Sequence, residues 1–164
     1  MRRIAFVVVC VALACAQAPA AVGASATFKF SGRTNQCPSD QARCGAVTIR
    51  VASNLKRVTS FAAEFQAKCQ SATSPVTDTF KVTDFAATVA AHTLKFAHDG
   101  AAALDLGSGF TGALAVKLTG KIRAASGNGS GTMQVDVTVK NASGQQVDTC
   151  TTGAVPVAWK VKVV

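Results

Sequence analysis

A chain of 164 residues has room for one domain and excludes a multidomain architecture. With 49% hydrophobic and 15% charged residues it can bury a core, which rules out an acidic or low-complexity disordered polymer. The formal net charge of +9 points to anionic partners, although charge alone speaks to solubility and adhesion before it speaks to one ligand.

The first element in chain order is a targeting segment. Arg2 and Arg3 supply positive charge, and Ile4 to Leu13 form an apolar run too short to cross a bilayer, the pattern of a signal peptide over residues 1–24. Val22-Gly23-Ala24 offers small residues for cleavage before Ser25, with Ala16-Gln17-Ala18 as an earlier alternative. An N-terminal anchor helix competes with this reading, but Pro19 and Gly23 interrupt it. A lipoprotein signal ending at Cys15 is the minor alternative; it has Ala12 where such signals usually carry a large aliphatic residue. The expectation is a secreted or extracytoplasmic protein whose residues 25–164 form a single domain, with no transmembrane segment in the mature chain. Without Arg2 and Arg3, 15 of the 17 basic residues remain against 8 acidic ones, a net charge of +7.

Beyond the leader, apolar and polar residues alternate, which is the period of a half-buried strand. Candidate strands are Thr27 to Phe30, Val47 to Ala52, Val58 to Phe65, Thr79 to Val82, Thr93 to His98 and Leu104 to Leu106. Phe61 to Cys69 admits a helix because Phe61 and Phe65 fall four apart, but it is read as strand. Three later strands alternate most cleanly. Leu114, Val116, Leu118 and Ile122 oppose Lys117, Thr119, Lys121 and Arg123; Met133, Val135, Val137 and Val139 oppose Gln134, Asp136, Thr138 and Lys140; and Val157, Trp159, Val161 and Val163 oppose Lys160 and Lys162. Turn signals separate them at Ser31-Gly32, Asp99-Gly100, Gly107-Ser108-Gly109, residues 126–131 and Asn141-Ala142-Ser143-Gly144. Parallel sheets need crossover helices that this pattern lacks, so the fold class is all-β: an antiparallel β-sandwich or partly closed β-barrel of about nine short strands, disulfide-bonded. Trp159 reads as a core residue from its alternation with valines.

Removing the leader removes Cys10 and Cys15 and leaves Cys37, Cys44, Cys69 and Cys150. In an oxidising compartment these form two disulfides, with three pairings open. No Cys-x-x-Cys pair is present and His92 and His98 lie far along the chain from the thiols, so no metal site is expected.

Gly32-Arg33-Thr34-Asn35-Gln36, the Val58 to Cys69 strand, Gly120-Lys121-Ile122 with Gly131-Thr132-Met133-Gln134-Val135, and Cys150-Thr151-Thr152-Gly153-Ala154-Val155 before Trp159 form an ordered set. The set resembles a family of small secreted bacterial all-β proteins with a Cys-x-Thr-Gly-x-Val…Trp C-terminal strand. That resemblance implies no activity. It implies that Cys69 pairs with Cys150 and that the Cys37 to Cys44 segment is an insertion. Pro156 and Val157 add two residues to the family's ending, which suggests a bulge. The spacing agrees with the implied pairing, because Cys37 to Cys44 is a polar, turn-like loop whose ends could close on themselves. Chain entropy assigns roughly 2.5 kcal/mol to that short bridge and roughly 4.5 kcal/mol to the long one, before strain.

Catalytic signatures are nearly absent. The acidic residues stand at turns or outward positions without pairing, and Gly127-Asn128-Gly129-Ser130-Gly131 has its serine one place too late for a nucleophile elbow. The same glycines precede a strand where a phosphate cradle would precede a helix. His92 and His98 would share one strand face with Leu94 and Phe96, but two imidazoles alone do not make a site. No cofactor is expected. The remaining hint is Lys117, Lys121, Arg123, Lys160 and Lys162, all at outward strand positions, which form a basic patch if their strands are neighbours. Export and the lack of interleaved aromatics argue against nucleic acid. An anionic envelope polymer or lipid headgroups fit the compartment. The preferred reading is thus a non-catalytic module that adheres to an anionic envelope component; the alternative is a secreted hydrolase or inhibitor with its site in loops.

Overall fold

A computed structural model describes residues 27–36, 45–107 and 109–164. The expected signal peptide and the Cys37 to Cys44 loop lie outside those residues. The described chain is all-β, with strands β1 (Thr27–Thr34), β2 (Ala46–Ala52), β3 (Arg57–Cys69), β4 (Val76–Ala90), β5 (Thr93–Gly107), β6 (Phe110–Arg123), β7 (Asn128–Lys140), β8 (Gln146–Thr151) and β9 (Val157–Val163). All belong to one antiparallel sheet in the order β2-β1-β9-β7-β6-β5-β4-β3-β8, with further pairings between β2 and β3 and between β7 and β8. Among the described residues no helix is long and apolar enough to cross a membrane.

The alternation of the sequence becomes the two faces of this sheet. On β6, Leu114, Val116, Leu118 and Ile122 are buried while Lys117, Thr119, Lys121 and Arg123 are exposed, as a period of two requires. The sheet curls until β2 meets β3, so eight strands close a ring at one end: β1, β2, β3, β4, β5, β6, β7 and β9. The other end stays open. There β7 exchanges β9 for β8 after Met133, and β3 leaves β2 and meets β8 at Lys68 and Cys69. The strand order at that end is β5-β6-β7-β8-β3-β4. Its edges are β4, which from Val76 to Ala86 pairs only with β3, and β5, which from Ala97 to Gly107 pairs only with β6. The partly closed barrel describes this arrangement; a pair of stacked sheets does not.

Trp159 sits at the centre of the closed end, 1% exposed. Its ring stacks on Phe96 at 6.0 Å and meets Phe61 edge-on at 5.6 Å. The indole lies over Gly131 and Gly120, where an added Cβ would come within 2.4 Å and 2.6 Å of its Cζ2. The absence of side chains on β6 and β7 at that level is what lets the largest ring in the chain fill the barrel.

Several expectations need correction. Asp99-Gly100 is no turn: β5 runs through it, with Asp99 opposite Lys117 and Gly100 opposite Val116, so the two strands expected there are one. The turn comes later, at Gly107 and Gly109, both in the left-handed region. Ser31-Gly32 lies inside β1, paired on both sides. β9 begins at Val157 and keeps regular register with β1 and β7, so Pro156 introduces no bulge. Register shifts lie elsewhere: β3 slips past β2 at Thr59, β5 past β6 between Asp105 and Gly107, and β7 past β8 between Val139 and Lys140. β8 is an added strand that the sequence does not signal, because it lacks alternation: Val147 is 49% exposed and only Cys150 is buried. Cys69 and Cys150 stand directly opposite each other and form a disulfide, the pairing that the family resemblance implied.

Candidate functional site

The outward face of the closed end carries a groove of about 880 Å³. Lys121 and Arg123 of β6, Lys160 and Lys162 of β9 and Arg33 of β1 line it, and among the described residues no carboxylate does. The ladders fix how these groups are spaced. Lys121 is opposite Ser130 of β7, Ser130 opposite Lys160, and Lys160 opposite Arg33; one step along, Arg123, Asn128, Lys162 and Ser31 form a parallel row. β6 and β9 are thus separated by β7, whose Ser130 and Asn128 are short. Strand spacing places Lys121 about 10 Å from Lys160, and the two rows about 7 Å apart. The outcome is a trough floored by hydroxyl and amide groups and walled by four cations. Such an array repels cations and raises the local concentration of anions; along each wall neighbouring charges lie within a Debye length at physiological salt, about 8 Å, whereas across the trough they stand slightly beyond it.

Four of the five basic residues singled out in the sequence therefore meet. Lys117 does not join them. It lies further along β6, opposite Asp99 of β5 and Gln134 of β7. One further cation, Arg33, lines the groove. Arg33 stands in the Gly32-Arg33-Thr34-Asn35-Gln36 segment that carries the family resemblance, and nothing in the sequence places β1 beside β9. Lys95 alternates with Leu94 and Phe96 and stands opposite Lys121 on β5, outside the residues that line the groove.

The histidines occupy separate environments. His92 forms, with Ala91, the left-handed hairpin turn between β4 and β5. His98 packs its ring 5.0 Å from that of Phe85. Six residues of strand separate them by about 20 Å, so they share no site. Several of the described carboxylates make local structural contacts. Asp84 pairs with Arg57 at 3.6 Å, Asp136 accepts a hydrogen bond from Thr151 at 2.6 Å, and Glu64 accepts one from the Gly45 amide at 3.1 Å. Asp148 accepts the Ser71 hydroxyl, which, with amide donors from Thr149, Ser71 and Gln70, holds its carboxyl below the ordinary value against desolvation, which pushes the other way more than any single amide does. Asp148 also lies beside Cys69 and Cys150, and among the described residues this is a group of three potential metal ligands. The two sulfurs are bonded to each other, however, and offer no thiolate.

Compared with known family models, with curated proteins and with solved structures, the chain finds no significant match in any of the three.

Proposed function

We propose that this protein is an exported, non-catalytic binding module that adheres to anionic components of the cell envelope through the groove on the outer face of β1, β9, β7 and β6. The observation that carries the reading is the meeting of Lys121, Arg123, Lys160 and Lys162 around one trough that no carboxylate among the described residues lines. The leader pattern of residues 1–24 and the resemblance to small secreted bacterial proteins supply the compartment. The single roles found for Asp84, Asp136 and Glu64 in structural contacts favour a binding module over a hydrolase, which needs an acid, base or nucleophile convergent on a cavity.

Sedimentation with isolated bacterial envelopes tests the proposal. Binding should fall steeply from low to physiological salt, because it rests on exposed charges. Lys121→Gln together with Arg123→Gln removes two cations worth about 1 kcal/mol each near an anionic surface, so affinity should fall about thirtyfold with the fold intact. No binding at low salt, or equal binding by the double variant, overturns the reading.

A further inference from the structure

The closed ring of strands is not sealed at its end. Phe28, Leu55, Val89, Leu94, Ile122 and Val163 line an apolar mouth of about 510 Å³, a volume within the usual range for small-ligand sites, roughly 300–1,000 Å³. Three of these residues project from different strands into solvent at one rim: Phe28 is 46% exposed, Val89 49% and Val163 53%. Apolar side chains scattered singly over a surface call for no explanation, but three converging on one cavity do.

The mouth adjoins the cationic groove. Ser126 lines both. On β6, Ile122 faces the mouth and its neighbour Arg123 the groove; on β9, Val163 faces the mouth and its neighbour Lys162 the groove. The period of a strand therefore places an apolar cavity and a pair of cations around a single rim. We infer that this rim binds an anionic lipid, with an acyl chain entering the barrel mouth between Phe28, Val89 and Val163 and the headgroup phosphate held by Arg123 and Lys162.

The neighbouring charge selects this occupant. A neutral apolar ligand would leave the cations unused, and a second copy docked mouth to mouth would bring two sets of Arg123 and Lys162 together, at a cost in repulsion. An anionic amphiphile satisfies both surfaces at once. The inference rests on the groove being an anion-binding face, and two probes separate the failure of one from the failure of the other.

Inorganic polyphosphate reports the groove alone. A series of butyl, hexyl, octyl and decyl phosphates, titrated calorimetrically at concentrations below micelle formation, reports the mouth. Each added pair of methylenes should tighten binding by up to about fifteenfold until the cavity is filled, at constant headgroup. Val89→Asp and Phe28→Ser, both at residues nearly half exposed, should abolish that dependence on chain length while leaving polyphosphate binding unchanged. Polyphosphate binding with affinities for the alkyl phosphates that ignore chain length overturns the lipid inference and leaves the groove standing. Failure to bind polyphosphate overturns the groove and the inference with it. A dimer in sedimentation equilibrium that Val89→Asp dissociates assigns the mouth to a second copy and likewise overturns the inference.

Discussion

The two ends of the barrel solve the same problem by different means. At the closed end every strand has two neighbours, and the enclosed space is filled by Trp159, Phe61, Phe96, Leu94 and Ile122. No backbone edge needs protection there, and hydrophobic burial suffices. At the open end β4 and β5 are edges, and β8 has six residues of which only Cys150 is buried. A strand so poor in apolar contacts does not hold itself against β3 and β7. The link between Cys69 and Cys150, 81 residues apart in sequence, anchors it. Covalent stapling thus stands where ring closure and aromatic packing are missing, and the feature proposed for function, the cationic groove, is built on the end that needs no staple.

The largest expected effect comes from cutting that staple. Replacing Cys69 and Cys150 together by Ala frees an 81-residue loop in the unfolded chain, which costs about 4.5 kcal/mol in the chain-entropy account. Chemical denaturation measures the total, and hydrogen exchange locates it. Protection should vanish first in β8 and in the parts of β3 and β4 near Cys69, while β1, β2 and β9 keep theirs. Uniform loss across all nine strands would break the contrast between the ends.

Trp159→Ala is the converse experiment. Emptying the indole's place over Gly120 and Gly131 leaves a cavity bounded by backbone that cannot collapse, and large aromatic truncations in cores cost about 4 kcal/mol. The loss of protection should now concentrate in β9, β1 and the Lys121 to Arg123 part of β6, so envelope binding should weaken with stability. A variant that lost exchange protection only in β8 would show that the two ends are not separately maintained.

How far the sequence discloses these ends follows from which signals are local. Period-two alternation made β6, β7 and β9 visible, down to the outward direction of Lys121, Arg123, Lys160 and Lys162, because burial on one face writes itself on every second residue. β8 left no such trace: a strand fastened by a disulfide has no need of an apolar face. Asp99-Gly100 misled because a residue pair that favours turns also fits an exposed edge strand when its partner strand supplies the register. The groove was half legible for a related reason. Outward direction is a local property, whereas the adjacency of β1 to β9, which brings in Arg33, depends on how the whole sheet curls. Lys117 shares the outward direction of the groove cations, but direction alone cannot tell which rung of the ladder a residue occupies.

The smallest expected effect concerns Asp148 and sharpens the description of the open end. Ser71 follows β3 and donates its hydroxyl to Asp148 of β8, with the Ser71 amide at 3.3 Å from the same carboxylate, so these contacts tie the two strands next to the disulfide. The Ser71 hydroxyl is the largest of the causes that lower the Asp148 pKa. A carboxyl whose pKa is lower in the folded than in the unfolded chain stabilises the fold above its unfolded value, about 3.9, and loses that contribution as pH falls through the folded value. Ser71→Ala should therefore raise the Asp148 pKa toward its ordinary range, which a carboxylate titration by NMR reads directly. Its stability deficit relative to the natural chain should be constant near neutral pH and shrink below about pH 4, where Asp148 is protonated in both proteins. Because Asp148 is partly exposed, the deficit should be far below that of the disulfide variant, and it should leave the closed end and envelope binding unchanged. A deficit that persisted undiminished at pH 2 would mean that Ser71 supports β8 by packing alone, with the carboxylate contributing nothing to holding the open end.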